Sequence, residues 1–309
     1  MLLYKYTSYD NAKKIIKGRS LCWSNISTFN DPFEGLFTNE SDIRSQARLI
    51  TLLSSIDNPI LQSPEIKLMI KEQSGNPVID NLGELSSLIE RQYIELSKNL
   101  TKENFFVIES EMENFIKSSP GTLKFLENSL VMSKTGIAGV AKKTLDEKYG
   151  ILCLSMNDNN TLMWSHYANN HTGVMFTLDM EHMKIENEKN SIKRHEVIYQ
   201  EEFPHLDYHT LLGINASMFK EENKDYFEKI ALTKSADWAY EKECRLIIKK
   251  NNKNNIYNVN PNVFKCVTLG HSMSQKDKEE ISSLIRLRMP NIDIHYAKIS
   301  LDKYEIIYD

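Results

Sequence analysis

The sequence predicts an α+β fold with a mixed or antiparallel β-sheet core and a large helical insertion. Short segments rich in β-branched and aromatic residues occur near the start of the chain and again from about residue 149. Between them, at about 40–148, apolar residues recur at three- and four-residue spacing, as in amphipathic helices. We expect one domain over 1–309, in which 1–38 and 149–309 form the core.

Local signals place the individual elements. A helix at roughly 8–17 begins at a Ser/Asp cap and stops at Gly18, with strands expected on either side at 2–6 and 20–24. Later strands are expected at 150–156, 173–179, 194–200, 244–250, 255–259, 264–270 and 292–299. Helical pieces are expected around 161–168, 206–236 and 274–287.

The charge balance argues against two classes of main partner. Lys and Arg number 38 against 42 Asp and Glu, a formal net charge of -4, so no overall basic field favours nucleic acid or an anionic membrane. A local basic groove stays open. No apolar run approaches the roughly 20 residues that cross a bilayer, and no signal-peptide segment is evident. We expect a cytoplasmic protein with no membrane partner.

The cysteines predict neither disulfides nor zinc. Cys22, Cys153, Cys244 and Cys266 are far apart and lie among apolar or strand-forming residues. They are expected to be buried thiols in a reducing compartment. No CxxC pair or regular Cys/His spacing occurs, so no metal site is expected.

The first candidate motif is SNISTFNDPFEG at 24–35. Its Asn-Asp-Pro core is a good turn signal, because Asn and Asp side chains satisfy local backbone donors and proline fixes the next φ. The same stretch gathers Asn30, Asp31 and Glu34 beside two aromatic residues. That mixture suits a polar, ring-bearing ligand, so a turn and a binding site both remain open.

The second motif, at 153–179, joins two expected strands through a short helix. The first strand ends at Ser155, and the helix carries Trp164, His166 and Tyr167, with His171 following. These four ring-bearing residues cannot all be buried by one short helix, so some should line a cleft. Core packing is the simpler role for Trp164. For His166, a structural role and a ligand contact are both open.

Two other chemistries for this motif are less well supported. A metal site at His166 and His171 is disfavoured, because their five-residue offset does not place both rings on one helical face. A Cys153–His166 nucleophile pair is disfavoured because Cys153 lies mid-strand among apolar neighbours, where a thiol is usually inert.

The third motif, DWAYEKECRLIIKK at 237–250, leads aromatic residues into a strand. Strand alternation is expected to place Glu241, Glu243 and Arg245 on one face. The three charges could form an ion-pair cluster on a solvated sheet face. They could equally hold a catalytic carboxylate in place. The preceding Trp238 and Tyr240 favour a site.

Together these stretches resemble a bacterial family of unknown function, DUF2971. The motifs that carry the resemblance are LYKY at 3–6, NDPFE at 30–34, CLS at 153–155, MWSHY at 163–167 and the W-x-YE-x-E-x-R pattern at 238–245. The resemblance covers the chain ends and hardly any of 40–148.

The order of the motifs is also similar, more loosely, to the ADP-ribosyltransferase plan, including its DNA-modifying toxin branch. That resemblance implies an ADP-ribosyltransferase-like sheet and NAD as the substrate that is cleaved. It places Lys5, Tyr6 and Thr7 at the first strand, where that plan has a His or Arg that holds NAD. It places Ser155, Trp164 and Tyr167 at the middle element, which packs on nicotinamide.

The same resemblance gives Glu243 the role of stabilising the oxocarbenium-like ribosyl centre and Glu241 that of orienting the acceptor. With Lys5, these two are the expected catalytic residues. The other motif residues expected to contact NAD are Asn30, Asp31, Glu34, His166 and Arg245. This sequence departs from the plan in having Lys5 at the His or Arg position and in lacking a glycine-rich phosphate loop.

The leading functional hypothesis is therefore an ADP-ribosyltransferase-like enzyme. It would transfer ADP-ribose from NAD to a nucleic-acid or protein acceptor, or hydrolyse NAD, in a bacterial toxin or anti-phage defence setting with a possible antitoxin. A different hypothesis is a non-catalytic module that senses a nucleotide or nucleic acid, in which the aromatic residues stack on bases. A metal-dependent nuclease is less well supported, because no set of clustered carboxylates is evident.

Overall fold

The strand segments from both ends of the chain form one sheet in the computed structural model, which describes residues 1–38, 145–185, 192–205, 229–250 and 255–309, with a few helical positions between 107 and 143. The helices are α1 (Tyr9–Gly18), α2 (Thr161–Tyr167) and α3 (Gln275–Arg288). Short 3₁₀ turns occupy Ile26–Thr28, Met180–His182, Ala236–Glu241 and Pro261–Val263.

The described residues also contain twelve strands. They are β1 (Leu2–Thr7), β2 (Ser20–Cys22), β3 (Tyr149–Ser155), β4 (Val174–Asp179), β5 (Lys193–Glu196), β6 (Ile198–Gln200), β7 (Thr233–Ser235), β8 (Glu243–Lys249), β9 (Ile256–Asn258), β10 (Phe264–Leu269), β11 (Asp293–Ile299) and β12 (Ile306–Tyr308). Eight of them form the main sheet in the order β12-β11-β10-β4-β1-β3-β8-β5.

The sheet is mixed, as predicted. Its neighbours run antiparallel except β10 and β11, which are parallel and joined through α3. Two small pairs, β2–β9 and the parallel β6–β7, lie outside the main sheet. The sequence-based α+β prediction is confirmed at this level. The strand expected at 194–200 needs correction, because it is divided at Val197 into β5, which pairs with β8, and β6, which pairs with β7.

Capping and burial explain the two longer helices. Ser8 caps α1 by accepting from the Asn11 backbone N–H, and Ser274 caps α3 in the same way through Asp277. Each helix then buries an i, i+4 pair, Ala12 with Ile16 and Ile281 with Ile285. These pairs join the main apolar cluster on one face of the sheet.

The two faces of the sheet differ sharply along β3 and β8. Leu152, Leu154, Cys244 and Leu246 face the main apolar cluster. The alternate positions put Cys153 opposite Arg245 and Ser155 opposite Glu243. One face is therefore core, and the other carries polar motif residues.

The junction of β1 with β3 has little pairing. The two strands share a single ladder position, Tyr4 opposite Ser155, whereas β1 pairs with β4 over its whole length. Beyond that position, a side chain connects the two strands: the Lys5 ammonium donates to the Cys153 carbonyl at 3.0 Å. Side chains from both strands are thus left to line a cavity.

The chain divides into two compact units. One comprises 1–34, 145–201 and 232–309 and holds the main sheet; the other comprises 35–144 and 202–231. Most of the second unit, including nearly all of the predicted helical insertion at about 40–148, lies outside the described residues. The single-domain organisation stays a prediction.

Other local expectations also differ from the structure. Of the helical piece expected at 206–236, residues 206–228 lie outside the described residues. Residues 229–232 are helical, but Thr233–Ser235 form β7, because Lys234 pairs beside Tyr199 of β6. Strand β12, whose three residues pair with the end of β11, was not predicted. Of the four cysteines expected to be buried, Cys244 is buried, Cys153 and Cys266 are partly buried, and Cys22 is exposed; all four are free.

No helix among the described residues is long and apolar enough to span a membrane.

Candidate functional site

The strands that carry the three motifs are neighbours in the sheet. The order β1-β3-β8 brings Lys5, Ser155 and Glu243 to one cavity of about 480 Å³ within the first unit. A volume of this size accommodates a nucleotide-sized ligand. The NDPFE segment and α2 close the cavity from the sides.

Most of the predicted site residues line this cavity. The strands and the 3₁₀ turn before β8 contribute Lys5, Tyr6, Ser155, Glu241, Glu243 and Arg245. The NDPFE segment contributes Asn30 and Glu34, and α2 contributes His166 and Tyr167.

Thr7, Asp31 and Trp164 lie away from the cavity wall. Thr7 is buried at the end of β1. Asp31 is buried too, and its Oδ1 accepts from the Phe33 backbone N–H at 2.9 Å, which is the local turn that Asn-Asp-Pro indicates. Trp164 is fully buried in the smaller apolar cluster, edge-on to Tyr6 at 5.3 Å between ring centroids.

Arg245 is the centre of a buried charge cluster. Its guanidinium donates to both oxygens of Glu34, at 3.0 and 2.7 Å, and to both oxygens of Glu243, at 2.9 and 3.0 Å. None of the arginine side chain is exposed. Phe29 lies 5.1 Å from the guanidinium carbon and covers it with an aromatic face. These bidentate ion pairs hold both carboxylates in position.

Lys234 completes the cluster and was missed by the sequence analysis. Its ammonium donates to Glu241 at 2.6 Å and to Glu243 at 3.4 Å, and lies 3.6 Å from Glu34. A lone lysine in a short strand segment carries no periodic signal, and only the pairing of β7 with β6 places it here. The cluster, defined as Glu34, Lys234, Glu241, Glu243 and Arg245, has one net negative charge when all five groups are ionised.

Glu241 does not lie on β8. It ends the 3₁₀ turn, and Lys242 follows in the left-handed region with φ 42° before β8 begins at Glu243. The carboxylates of Glu241 and Glu243 are nevertheless close together, because the Lys234 ammonium contacts both of them. The prediction that strand alternation aligns Glu241 with Glu243 and Arg245 was wrong in its reason, although the three charges do share one cavity.

The second motif holds Glu241 from the opposite side. The Tyr167 hydroxyl donates to Glu241 Oε1 at 2.5 Å and accepts from the Asn30 amide at 3.2 Å. Asn160 caps α2 and donates to the Tyr240 carbonyl at 2.7 Å, which ties the helix to the 3₁₀ turn. Motifs one, two and three are thus joined by hydrogen bonds.

The environments of the two glutamates separate their pKa values. Burial acts to raise the pKa of Glu243, but the charges of Arg245 and Lys234 outweigh it and bring that pKa to about 2. Burial raises the pKa of Glu241, only partly offset by Lys234 and Tyr167. Separated pKa values in neighbouring carboxyl groups are typical of sites in which the two have different roles.

Backbone contacts hold the remaining polar strand residues. Ser155 Oγ donates to the Glu241 carbonyl at 2.7 Å, and the Tyr6 hydroxyl donates to the Asn157 carbonyl at 2.9 Å. The half-buried Lys5 has its carbonyl partner on β3, and an ammonium carries further donors for an anionic ligand.

An aromatic group stands beside the exposed His166. Its ring lies 6.3 Å from Trp238 and 6.2 Å from Tyr240, measured between centroids. Trp238 and Tyr240 are half-buried. The expectation that some aromatic residues of the second motif line a cleft is confirmed for His166 and Tyr167.

The alternative chemistries of the second motif gain no support. Burial, and then the charge of Glu243, raise the pKa of the Cys153 thiol, which keeps it protonated and unreactive. His171 lies beside His271 at a second cavity, whereas His166 lines the first. Within the described ranges, no group of three or more His, Cys, Asp or Glu side chains is arranged to hold a metal ion.

These features define an α+β protein whose sheet carries a polar cavity backed by a buried charge cluster. The profile of one protein family, described as a protein of unknown function (DUF2971), matches residues 163–246. The match confirms the resemblance to DUF2971 that the motifs indicate, and it spans α2 to β8. Neither the curated proteins nor the solved structures gave a match to the chain.

Proposed function

We propose that the cavity binds NAD and that the protein is an ADP-ribosyltransferase-like enzyme, which transfers ADP-ribose to a macromolecular acceptor or to water. The observation that carries the proposal is the adjacency of β1, β3 and β8, with Lys5, Ser155 and Glu243 lining one cavity. This is the order in which the ADP-ribosyltransferase plan uses its first, middle and late elements.

The chemistry begins at the bond between nicotinamide and ribose. Nicotinamide leaves with the bonding electron pair, so positive charge develops on the ribose. Glu243 stays ionised at any physiological pH, because its pKa is about 2. A fixed carboxylate beside the ribose stabilises this transition state more than the ground state.

Glu241 suits the second half of the reaction. The acceptor attacks the ribose carbon and loses a proton, which a carboxylate within hydrogen-bonding distance can take. The raised pKa of Glu241 makes it the better base of the two, and Tyr167 fixes its orientation. Atoms balance, since nicotinamide is released and the proton passes to Glu241.

The cavity wall also fits the other parts of the ligand. The net negative charge of the cluster favours the positively charged nicotinamide ring, and the aromatic rings nearby can pack on it. Lys5 is the cation available for the phosphates. This proposal includes a nucleic-acid or protein acceptor. It also includes a toxin or anti-phage setting with an antitoxin partner.

The test is incubation of the purified protein with NAD labelled in the nicotinamide ring, alone and with nucleic acid or cell lysate. We expect release of nicotinamide from the wild type and a loss of at least about a hundredfold in Glu243→Gln, as when a charge-stabilising group is removed. An equal rate in both proteins overturns the catalytic role of Glu243.

One observation favours a second candidate, a nucleotide-sensing module. Both oxygens of Glu243 already accept hydrogen bonds from Arg245, and the glutamate side chain is only 5% exposed. Such a carboxylate serves to anchor the site without touching the ribose. This candidate expects a thermal shift with NAD, lost in Tyr167→Ala, and no product under any condition.

A further inference from the structure

Lys234 is buried among three carboxylates. Its side chain is 3% exposed, and its ammonium lies within 3.6 Å of Glu34, Glu241 and Glu243. The face of Trp238 covers it at 4.7 Å. The shortest of these contacts is to Glu241, at 2.6 Å.

The groups that face Glu241 come from four elements, one of which is β6, where the charge of Glu241 helps to raise the pKa of Tyr199. Lys234 approaches from β7 and Glu243 from β8, while the Tyr167 hydroxyl approaches from α2. Arg245 donates to Glu34 and Glu243, and the Asn30 amide donates to the Tyr167 hydroxyl. Lys234 is therefore the one cation among the described residues in direct contact with Glu241.

We propose that Lys234 is a positioning residue that keeps Glu241 ionised and aimed at the cavity beside Tyr167. The proposal rests on the function given above, in which Glu241 accepts the acceptor's proton. Lys234 does not itself touch the reacting atoms.

Lys234 is needed because opposing interactions determine whether Glu241 is protonated. Burial and the charge of Glu243 both favour the protonated form, and Lys234 with Tyr167 opposes them. Without Lys234, Glu241 faces another carboxylate in a dry site with only a hydroxyl in support. A protonated Glu241 cannot accept a proton, so turnover would then require a higher pH.

The test is the pH profile of nicotinamide release by wild type, Lys234→Met and Lys234→Arg. We expect the acid limb to move upward by at least about one pH unit in Lys234→Met, the usual effect of removing an opposite charge in contact. Lys234→Arg should restore most of the wild-type profile. A loss of rate that is equal at every pH would overturn the proposal.

Lys242→Met is the matched control. It makes the same change of charge one residue from Glu241 and Glu243, but Lys242 is exposed. Its profile should coincide with that of the wild type. An equal shift in Lys242→Met would mean that the effect is not specific to Lys234.

A second measurement separates this proposal from the proposed function. NMR of carboxyl groups in ¹³C-glutamate-labelled protein, with Glu241 assigned through Glu241→Gln, reports the titration of Glu241 without any turnover. If wild type releases no nicotinamide, a Glu241 signal that titrates at higher pH in Lys234→Met still supports the role of Lys234. An unmoved titration overturns it.

Folding failure of Lys234→Met is also informative. In that case the double variant Lys234→Met/Glu241→Gln removes the carboxylate that has lost its partner. Recovery of folding in the double variant supports the proposal. Continued unfolding overturns it, because Glu241 would not be the group that depends on Lys234.

Discussion

The side chains on the two faces of β8 are equally buried, but one face is apolar and the other is charged. Cys244, Leu246 and Ile248 enter the apolar core, and Glu243 and Arg245, between them, are 5% and 0% exposed. Burial alone therefore does not distinguish the core from the site. Each charged group on the second face needs a partner within the protein, because water does not reach it. Buried ion pairs of this kind seldom stabilise a protein more than apolar packing does. The apolar face stabilises the fold by packing, whereas the charged face keeps its stability only while each buried ion keeps its partners.

The largest expected effect comes from breaking the charged face at its centre. Arg245→Met leaves Glu34 and Glu243 buried without their main partner, and we expect a loss of about 3–5 kcal/mol in the free energy of unfolding. Urea denaturation measures it. A loss below about 1 kcal/mol would contradict the buried cluster.

Leu246→Ala is the control on the apolar face of the same strand. It should cost about 2–5 kcal/mol through cavity formation. Its stability should depend little on pH, since no titrating group is lost. Arg245→Met should differ from it by being partly rescued at acid pH, where the two carboxylates become protonated.

The charged face of β8 should also make the stability of the protein depend on pH, through Glu243. The folded-state pKa of Glu243, about 2, lies below the unfolded value, so its contribution is present above the unfolded pKa and is lost as pH falls toward about 2. We expect wild type to lose stability over this window and Glu243→Gln to lose distinctly less. Chemical denaturation between pH 5 and 2 checks this, and parallel losses in both proteins would contradict the low pKa.

A smaller effect is expected at the hydroxyl of Tyr167. Tyr167→Phe removes the donor to Glu241 and should cost about 1–2 kcal/mol of stability, the worth of a hydrogen bond to a charged group. It should also raise the pKa of Glu241, because that hydrogen bond lowers it. Denaturation and the carboxyl NMR titration measure the two effects. An unchanged Glu241 titration would argue that the Tyr167 hydroxyl points elsewhere in solution.

The two faces were also unequally predictable from sequence. Strand periodicity and β-branched residues were sufficient for the apolar face, and β3, β4 and β8 appear where the pattern predicts them. The pairing of Glu243 with Arg245 followed from alternation along one strand. These are local properties, which a sequence carries directly.

The rest of the site depends on long-range contacts. Lys234 was missed because its burial follows from the pairing of β7 with β6, more than thirty residues earlier in the chain. Glu241 was assigned to the strand, although the left-handed Lys242 separates it from β8. Asp31 and Trp164 occupy a turn and the core, and a motif alone does not distinguish these places from a cavity wall.

The most direct test of the account is calorimetric binding of an NAD analogue whose nicotinamide–ribose bond cannot be cleaved. We expect one molecule to bind wild type, about tenfold weaker binding to Lys5→Met from loss of one charged contact, and no change in Lys276→Met, an exposed lysine on α3. The absence of binding to wild type, or equal binding to all three proteins, would contradict the assignment of the β1-β3-β8 cavity as a nucleotide site.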